Sequence, residues 1–138
     1  MTRKDYVAGI IDGEGSISIS QNRSGCYYPR VSVGTTSRAL VDFLLVECGG
    51  YANDKHPKNP RAKEQYQWYV VGKRAVELLK LLEPRLVIKK GPAQCVLAVP
   101  RFHLMHGHKG GGARWLETDR QIAAAFKADL GAMNRRGK

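Results

Sequence analysis

The chain has 138 residues, with 23 Lys and Arg against 12 Asp and Glu, giving a formal charge of +11 and a sequence pI of about 9.9. This length predicts one domain with room for a core, and 43% apolar content argues against wholesale disorder; the basic surplus points to a polyanionic partner, most often nucleic acid. Three widely spaced cysteines (Cys26, Cys48, Cys95) support neither a disulfide framework nor a thiolate zinc site, and no apolar run approaches the ~18 residues of a membrane span.

Thr2 and Asp5 have the T-x-x-D spacing of a capping box, which starts a helix over residues 3–12; Gly13 and Gly15 stop it. Residues 16–20 alternate strictly, serines on one face and Ile17 and Ile19 on the other, so they read as a half-buried strand. Residues 22–25 are turn formers. A second strand over 27–35 places Pro29, Val31 and Val33 on one face and Tyr28, Arg30 and Ser32 on the other, completing a hairpin. Thr36 or Ser37 can cap a helix through Leu40, Phe43, Leu44 and Cys48, closed by Gly49-Gly50.

Residues 51–55 and 65–71 read as a second hairpin around a loop with Pro57, Asn59 and Pro60. A helix over 73–82 aligns Ala75, Leu78, Leu79 and Leu82, with Pro84 past its end. Residues 89–100 are a weaker helical candidate interrupted by Gly91-Pro92. Residues 107–112 form a Gly-rich break, and 113–130 an amphipathic helix before a basic tail (Arg135, Arg136, Lys138). The order is αββαββα plus a terminal helix, an α+β fold. We expect a single domain over 1–138, its last ~25 residues an appended helix and basic tail. The strand–strand–helix half recurs, at roughly 16–48 and 51–82.

The chemistry concentrates in Val7-Ala8-Gly9-Ile10-Ile11-Asp12-Gly13-Glu14-Gly15-Ser16-Ile17. Gly9 and Gly13 stand four apart, a spacing that lets two helices approach closely. So short and apolar a helix needs a partner surface, and a second copy of itself supplies one through Tyr6, Ala8, Gly9 and Asp12. Its end delivers Asp12, Gly13 and Glu14 to one end of the seam, where two Glu14 side chains would meet near a twofold axis. Carboxylates facing a phosphate backbone repel it; a divalent cation between them reverses that sign.

This stretch resembles the signature of the LAGLIDADG homing endonucleases, matching at Ala8, Gly9, Ile11, Asp12 and Gly15. The resemblance covers roughly residues 1–100 and, with one motif, implies a curved antiparallel DNA-binding sheet in a homodimer. It implies a site-specific, metal-dependent endonuclease that makes double-strand cuts across a minor groove of a long pseudo-palindromic site. It implies Mg²⁺ or another divalent cation such as Mn²⁺, with Ca²⁺ able to bind without cleavage. Glu14 is the expected metal ligand, with the Gly13 carbonyl and Asp12, although the first acid of the motif largely serves the helix ends. Glu14 is one methylene longer than the Asp usual there. Lys89 matches a lysine near the cleaved phosphate, with Lys90 as the alternative. Thr35 stands where an amide side chain often orients water, and Arg38 is a candidate for the same pocket. The same fold also serves non-catalytic roles, as an RNA splicing maturase binding intron RNA or as a DNA-binding regulator.

Strand parity predicts the DNA face. If Ile17, Ile19, Val31, Val33, Tyr66, Trp68 and Val70 face the helices, the other face presents Ser16, Ser18, Ser20, Asn22, Tyr28, Arg30, Ser32, Asn53, Lys55, Gln65, Gln67 and Tyr69, without one acid. Arg30 and Gln67 are expected at base edges. Arg23, Lys58, Arg61 and Lys63 sit in hairpin tips and suit phosphates. A strand of ~10 residues spans about 33 Å, so a dimer should cover roughly 20 base pairs. His103, His106 and His108 read as exposed loop histidines. The early acid of the amino terminus makes a poor signal peptide, and a cytoplasmic or organellar setting is expected.

Overall fold

The computed structural model describes residues 2–55, 64–104 and 115–136. Helix α1 spans Arg3–Glu14, strands β1 and β2 span Gly15–Gln21 and Tyr27–Thr35, and α2 spans Arg38–Cys48. Strands β3 and β4 cover Tyr51–Lys55 and Gln65–Val71, and α3 covers Gly72–Leu82. A 3-10 turn at Glu83–Arg85 leads to α4, Lys90–Leu97; another at Pro100–Leu104 precedes α5, Glu117–Arg136. The strands form one antiparallel sheet in the order β1-β2-β4-β3. This is the expected α+β order.

The capping box forms as the spacing predicts: the Thr2 hydroxyl accepts from the Asp5 N–H at 3.1 Å, and the Asp5 carboxylate from the Thr2 N–H at 3.0 Å. Those bonds, and Arg85 beside it, hold the Asp5 carboxyl below its ordinary value. Ser37, not Thr36, caps α2, accepting from the Leu40 N–H at 3.2 Å. One face of the sheet carries Ile17, Ile19, Val31, Val33, Trp68 and Val70, all buried under the helices. The Trp68 indole N–H is satisfied by the Gly49 carbonyl at 2.8 Å, which ties β4 to the end of α2.

Three boundaries differ from the sequence reading. First, α1 runs through Gly13 to Glu14 and stops only at Gly15. Second, Gly91-Pro92 does not interrupt α4: both lie in its first turn, where proline's missing N–H has no intrahelical acceptor to lose. Third, the last helix begins at Glu117, not Ala113, with Asp119 accepting the Leu116 N–H at 2.8 Å, and passes through Gly131 to Arg136. Glycine costs a helix interior about 1 kcal/mol relative to alanine. Buried Leu130, and an Asn134 amide donating to the Ile17 carbonyl at 3.1 Å, hold this turn on β1 and outweigh that cost. Helix α5 is therefore part of the core, with Ala123 and Leu130 buried in it, and not only an appendage.

The turn from α2 into β3 requires glycine. Gly50 has φ +96°, and a Cβ there would lie 2.5 Å from the Tyr69 carbonyl oxygen and 2.7 Å from Val70 Cγ1. Gly50→Ala should therefore lower stability by about 2 kcal/mol or more in urea unfolding. Gly34→Ala, where nothing lies within 4 Å of the added carbon, should stay within about 0.5 kcal/mol of the parent.

Candidate active site and nucleic-acid interface

The site is built where α1 ends. Glu14 is its last helical residue, and the Gly15 N–H caps it on the Ile11 carbonyl. A Cβ on Gly15 would lie 2.7 Å from that same carbonyl oxygen, so glycine alone lets β1 leave so abruptly. The Asp12 carboxylate, two residues back, is filled by backbone N–H groups. Its Oδ2 accepts from the Val87 N–H at 2.7 Å, and its Oδ1 from the Ile88 and Lys89 N–H groups at 3.1 and 2.9 Å. In return, Lys89 Nζ donates to the Asp12 backbone carbonyl at 2.8 Å. Expected among the metal ligands and the seam residues, Asp12 instead clamps the segment before α4 and sets Lys89 in place.

A cavity of about 860 Å³ opens beside this clamp, lined by Gly13, Glu14, Gly15, Ser16, Ile88, Lys89, Gly91, Pro92, Met133 and Asn134. Glu14 and Lys89, remote in sequence, thus share one cavity. The Glu14 carboxylate is exposed and has no hydrogen-bond or ion-pair partner among the described residues. Elsewhere Asp5, Asp42, Glu47, Glu77, Glu117 and Asp119 each lie beside an Arg or Lys. The donors at this helix end are hard oxygens: a free carboxylate, and the Gly13 carbonyl of a last turn that leaves its C=O groups without intrahelical partners. That set fits Mg²⁺, which takes one or two carboxylates and keeps the rest of its shell for water and phosphate.

Lys90 opens α4 and does not line the cavity. Arg38 lies elsewhere, its Nε 3.5 Å from Asp42 Oδ1 and its guanidinium 5.7 Å from the Tyr66 ring. The Thr35 hydroxyl accepts from the Ser37 N–H at 3.0 Å, so it shapes the entry to α2. Sequence reasoning missed Met133 and Asn134, because it ended the last helix at residue 130.

The outer stripe of α1 is open. Nothing lies within 4 Å of a Cβ built on Gly9 or Gly13, and Tyr6, exposed, packs edge-on against Phe43 at 5.2 Å. Grooves of about 440 and 570 Å³ run along this stripe and share Tyr6 and Leu40. Ala8 was expected on the same seam; at 1% exposure it instead packs with Val7 and Ile11 in its own core. Beside the Asp12 clamp, Val87 and Ile88 are 82% and 66% exposed, an apolar pair that the sequence reading left unassigned.

The sheet register confirms the strand parity. Ser16 faces Ser32 and Ser32 faces Tyr69; Ser18 faces Arg30 and Ser20 faces Tyr28. Asn53 faces Gln67 and Lys55 faces Gln65. Tyr51, opposite Tyr69, joins this face and was missed. Two expected contacts change role. Ser32 is only 8% exposed, so neighbours already cover it. The Asn22 side-chain oxygen accepts from the Ser24 N–H and hydroxyl and the Cys26 N–H, so it builds the β1–β2 turn, where Arg23 is exposed. Lys58, Arg61 and Lys63 lie outside the described residues, as do His106 and His108. Exposed His103 contacts the Leu97 carbonyl at 2.7 Å. No described helix is long and apolar enough to cross a membrane. The cysteines are free, and burial pushes the Cys48 thiol up to about 11, leaving it protonated near neutrality.

Among solved structures the chain has the fold of the LAGLIDADG homing endonucleases. It superposes on the homing endonuclease I-CvuI, in complex with its target in the presence of calcium, with TM-score 0.70 and 17% identity over 95% of this chain and 81% of that one. On the I-SmaMI LAGLIDADG homing endonuclease bound to cleaved DNA the values are 0.68 and 18%, over all of this chain and 49% of that one. On the archaeal intron-encoded I-Vdi141I complexed with DNA they are 0.55 and 18%, over 91% and 97%. No family model and no curated protein matches the sequence.

Asp12→Asn tests the clamp. It sets an amide N–H against the Val87 N–H and should cost about 1–3 kcal/mol of stability. Amide hydrogen exchange should quicken at residues 87–89 before it does in the sheet.

Proposed function

We propose that this chain is a site-specific DNA endonuclease of the LAGLIDADG type that acts as a homodimer with a divalent cation. The observation that carries the reading is the unpartnered Glu14 carboxylate sharing a cavity with the anchored Lys89 ammonium, at the end of a helix whose outer stripe is bare. Glu14 and the Gly13 carbonyl would hold Mg²⁺ or a similar cation, which supplies Lewis-acid activation of water and charge stabilisation at the leaving oxygen. Lys89, fixed by the Asp12 carbonyl, would place its positive charge beside the phosphate, where negative charge grows during cleavage.

The seam is Tyr6, Gly9, Ile10 and Gly13, extended by Val87 and Ile88. The two glycines let a second α1 approach closely, and a twofold contact there sets two Glu14 side chains together. The 49% coverage of I-SmaMI supports this reading, since two copies of this chain match the length of that one. Lys90, Arg23, Lys58 and Arg61 are assigned to phosphates. Ser16, Ser18, Ser20, Tyr28, Arg30, Asn53, Lys55, Gln65, Gln67 and Tyr69 are assigned to the groove.

The Thr35 hydroxyl favours a second reading, a non-catalytic binder of DNA or intron RNA, because a short hydroxyl that already accepts the Ser37 N–H stands where the resemblance implies an amide that orients water. Mg²⁺-dependent cleavage of duplex DNA joining the two flanks of the coding region separates the two. Glu14→Gln should abolish that cleavage while binding persists, because affinity comes from the sheet and basic loops; full cleavage by the mutant removes Glu14 from the centre. For assembly, light scattering should find a dimer in the parent. Gly9→Leu fills open space in one subunit, so it should leave each subunit folded and yet shift the population to monomer.

A further inference from the structure

Resting on the reading of the sheet as the DNA face, we infer that Tyr69 and Tyr51 hold the Arg30 guanidinium as a preset reader of a guanine edge. The three side chains form a ladder across β2, β4 and β3. The Arg30 Cζ lies 4.3 Å from the centroid of the Tyr69 ring. The Tyr69 and Tyr51 rings stack at 5.5 Å with 29° between planes, directly opposite in the register. Arg30 pairs with Val71, so Tyr69 is its diagonal neighbour, within reach of long side chains.

Arg30 combines two features, a ring beneath it and no carboxylate beside it, whereas Arg38 and Arg101, also near rings, are paired with acids. Arg3, Arg38, Arg85, Arg101 and Arg120 each lie beside a carboxylate. Arg30 lies on an aromatic face, and no hydrogen-bond or ion-pair partner takes any of its donors among the described residues. A guanidinium stacked on a ring keeps its in-plane N–H fork free, the geometry that binds guanine O6 and N7 together. Its rotamers are restricted before DNA arrives, so less order is lost on binding. On its other side stands Ser18, small enough to leave the approach open. The register also sets the position. From the Gly15–Val33 pair to the Ser18–Arg30 pair is three strand residues, about 10 Å or roughly three base pairs outward from the end of α1.

The test has a DNA arm and a free-protein arm. Selection from a randomised duplex library should enrich guanine at one symmetric pair of positions. Arg30→Lys should cut that preference about tenfold, and Tyr69→Leu should cut it similarly with Arg30 intact. Tyr69→Phe should keep it, because the ring does the holding. Tyr51→Leu, at the exposed edge strand, should weaken it about threefold. In the free protein, ¹⁵N relaxation at Arg30 Nε should report an ordered side chain that becomes mobile in Tyr69→Leu. If Tyr69→Leu misfolds, the Tyr51→Leu selection and the parent's Arg30 relaxation decide. A mobile guanidinium in the parent, or an undiminished guanine preference in folded Tyr69→Leu or in Tyr51→Leu, overturns the ladder while leaving DNA recognition standing. Enrichment of no sequence by the parent overturns both.

Discussion

Three backbone N–H groups converge on the Asp12 carboxylate, and the Lys89 ammonium returns to the Asp12 carbonyl. Much of the site geometry depends on this exchange. The end of a helix exposes carbonyls, and the segment ahead of α4 exposes N–H groups; each is an unmet demand that costs free energy if buried. One carboxylate satisfies the second, and one ammonium the first. The result joins residues from opposite parts of the chain, anchored by the neighbouring Ile11 and Leu86 in the core, while Val87 and Ile88 are left exposed. Two residues beyond Asp12 stands Glu14, with no such obligation. The clamp thus leaves one acid of the motif spent and the other free.

Helix α1 has two faces, and the division explains its composition. Val7, Ala8 and Ile11 are buried in the protomer, while Gly9 and Gly13 line a bare stripe. A helix with apolar residues on one side and missing side chains on the other is poorly served by water alone. The charge distribution has the same logic at larger scale. Many acids are neutralised by neighbouring cations, and the outer face of the sheet holds none in its paired register.

Much of this was legible in the sequence because it is written in local periodicity. The T-x-x-D box, the alternation from Ser16 to Ser20 and the Gly49-Gly50 stop each depend on neighbours a few residues away, and each formed. The errors arose where distant contacts outweigh local preference. The last amphipathic pattern reads as ending at residue 130, but Asn134 reaches Ile17 and Leu130 enters the core, so the helix continues. Gly91-Pro92 reads as a break until one sees that it starts a helix. Ala8 reads as a seam residue because motif position does not disclose which way a side chain turns. Asp12 reads as a ligand because nothing local announces the N–H groups of residues 87–89.

The same reasoning bears on how Glu14 stays free. In a chain with 23 cations and 12 acids, an exposed carboxylate should attract a basic neighbour, and Lys89 lines the same cavity. Its Nζ donates to the Asp12 carbonyl at 2.8 Å, and no Lys89–Glu14 ion pair forms. The other side of the cavity is closed by Asn134 and Met133, uncharged residues that α5 delivers only because it runs past Gly131. Around Glu14 the lining therefore supplies one cation already engaged and otherwise small, apolar or neutral groups. A carboxylate so isolated has its lone pairs available to whatever cation arrives from solution.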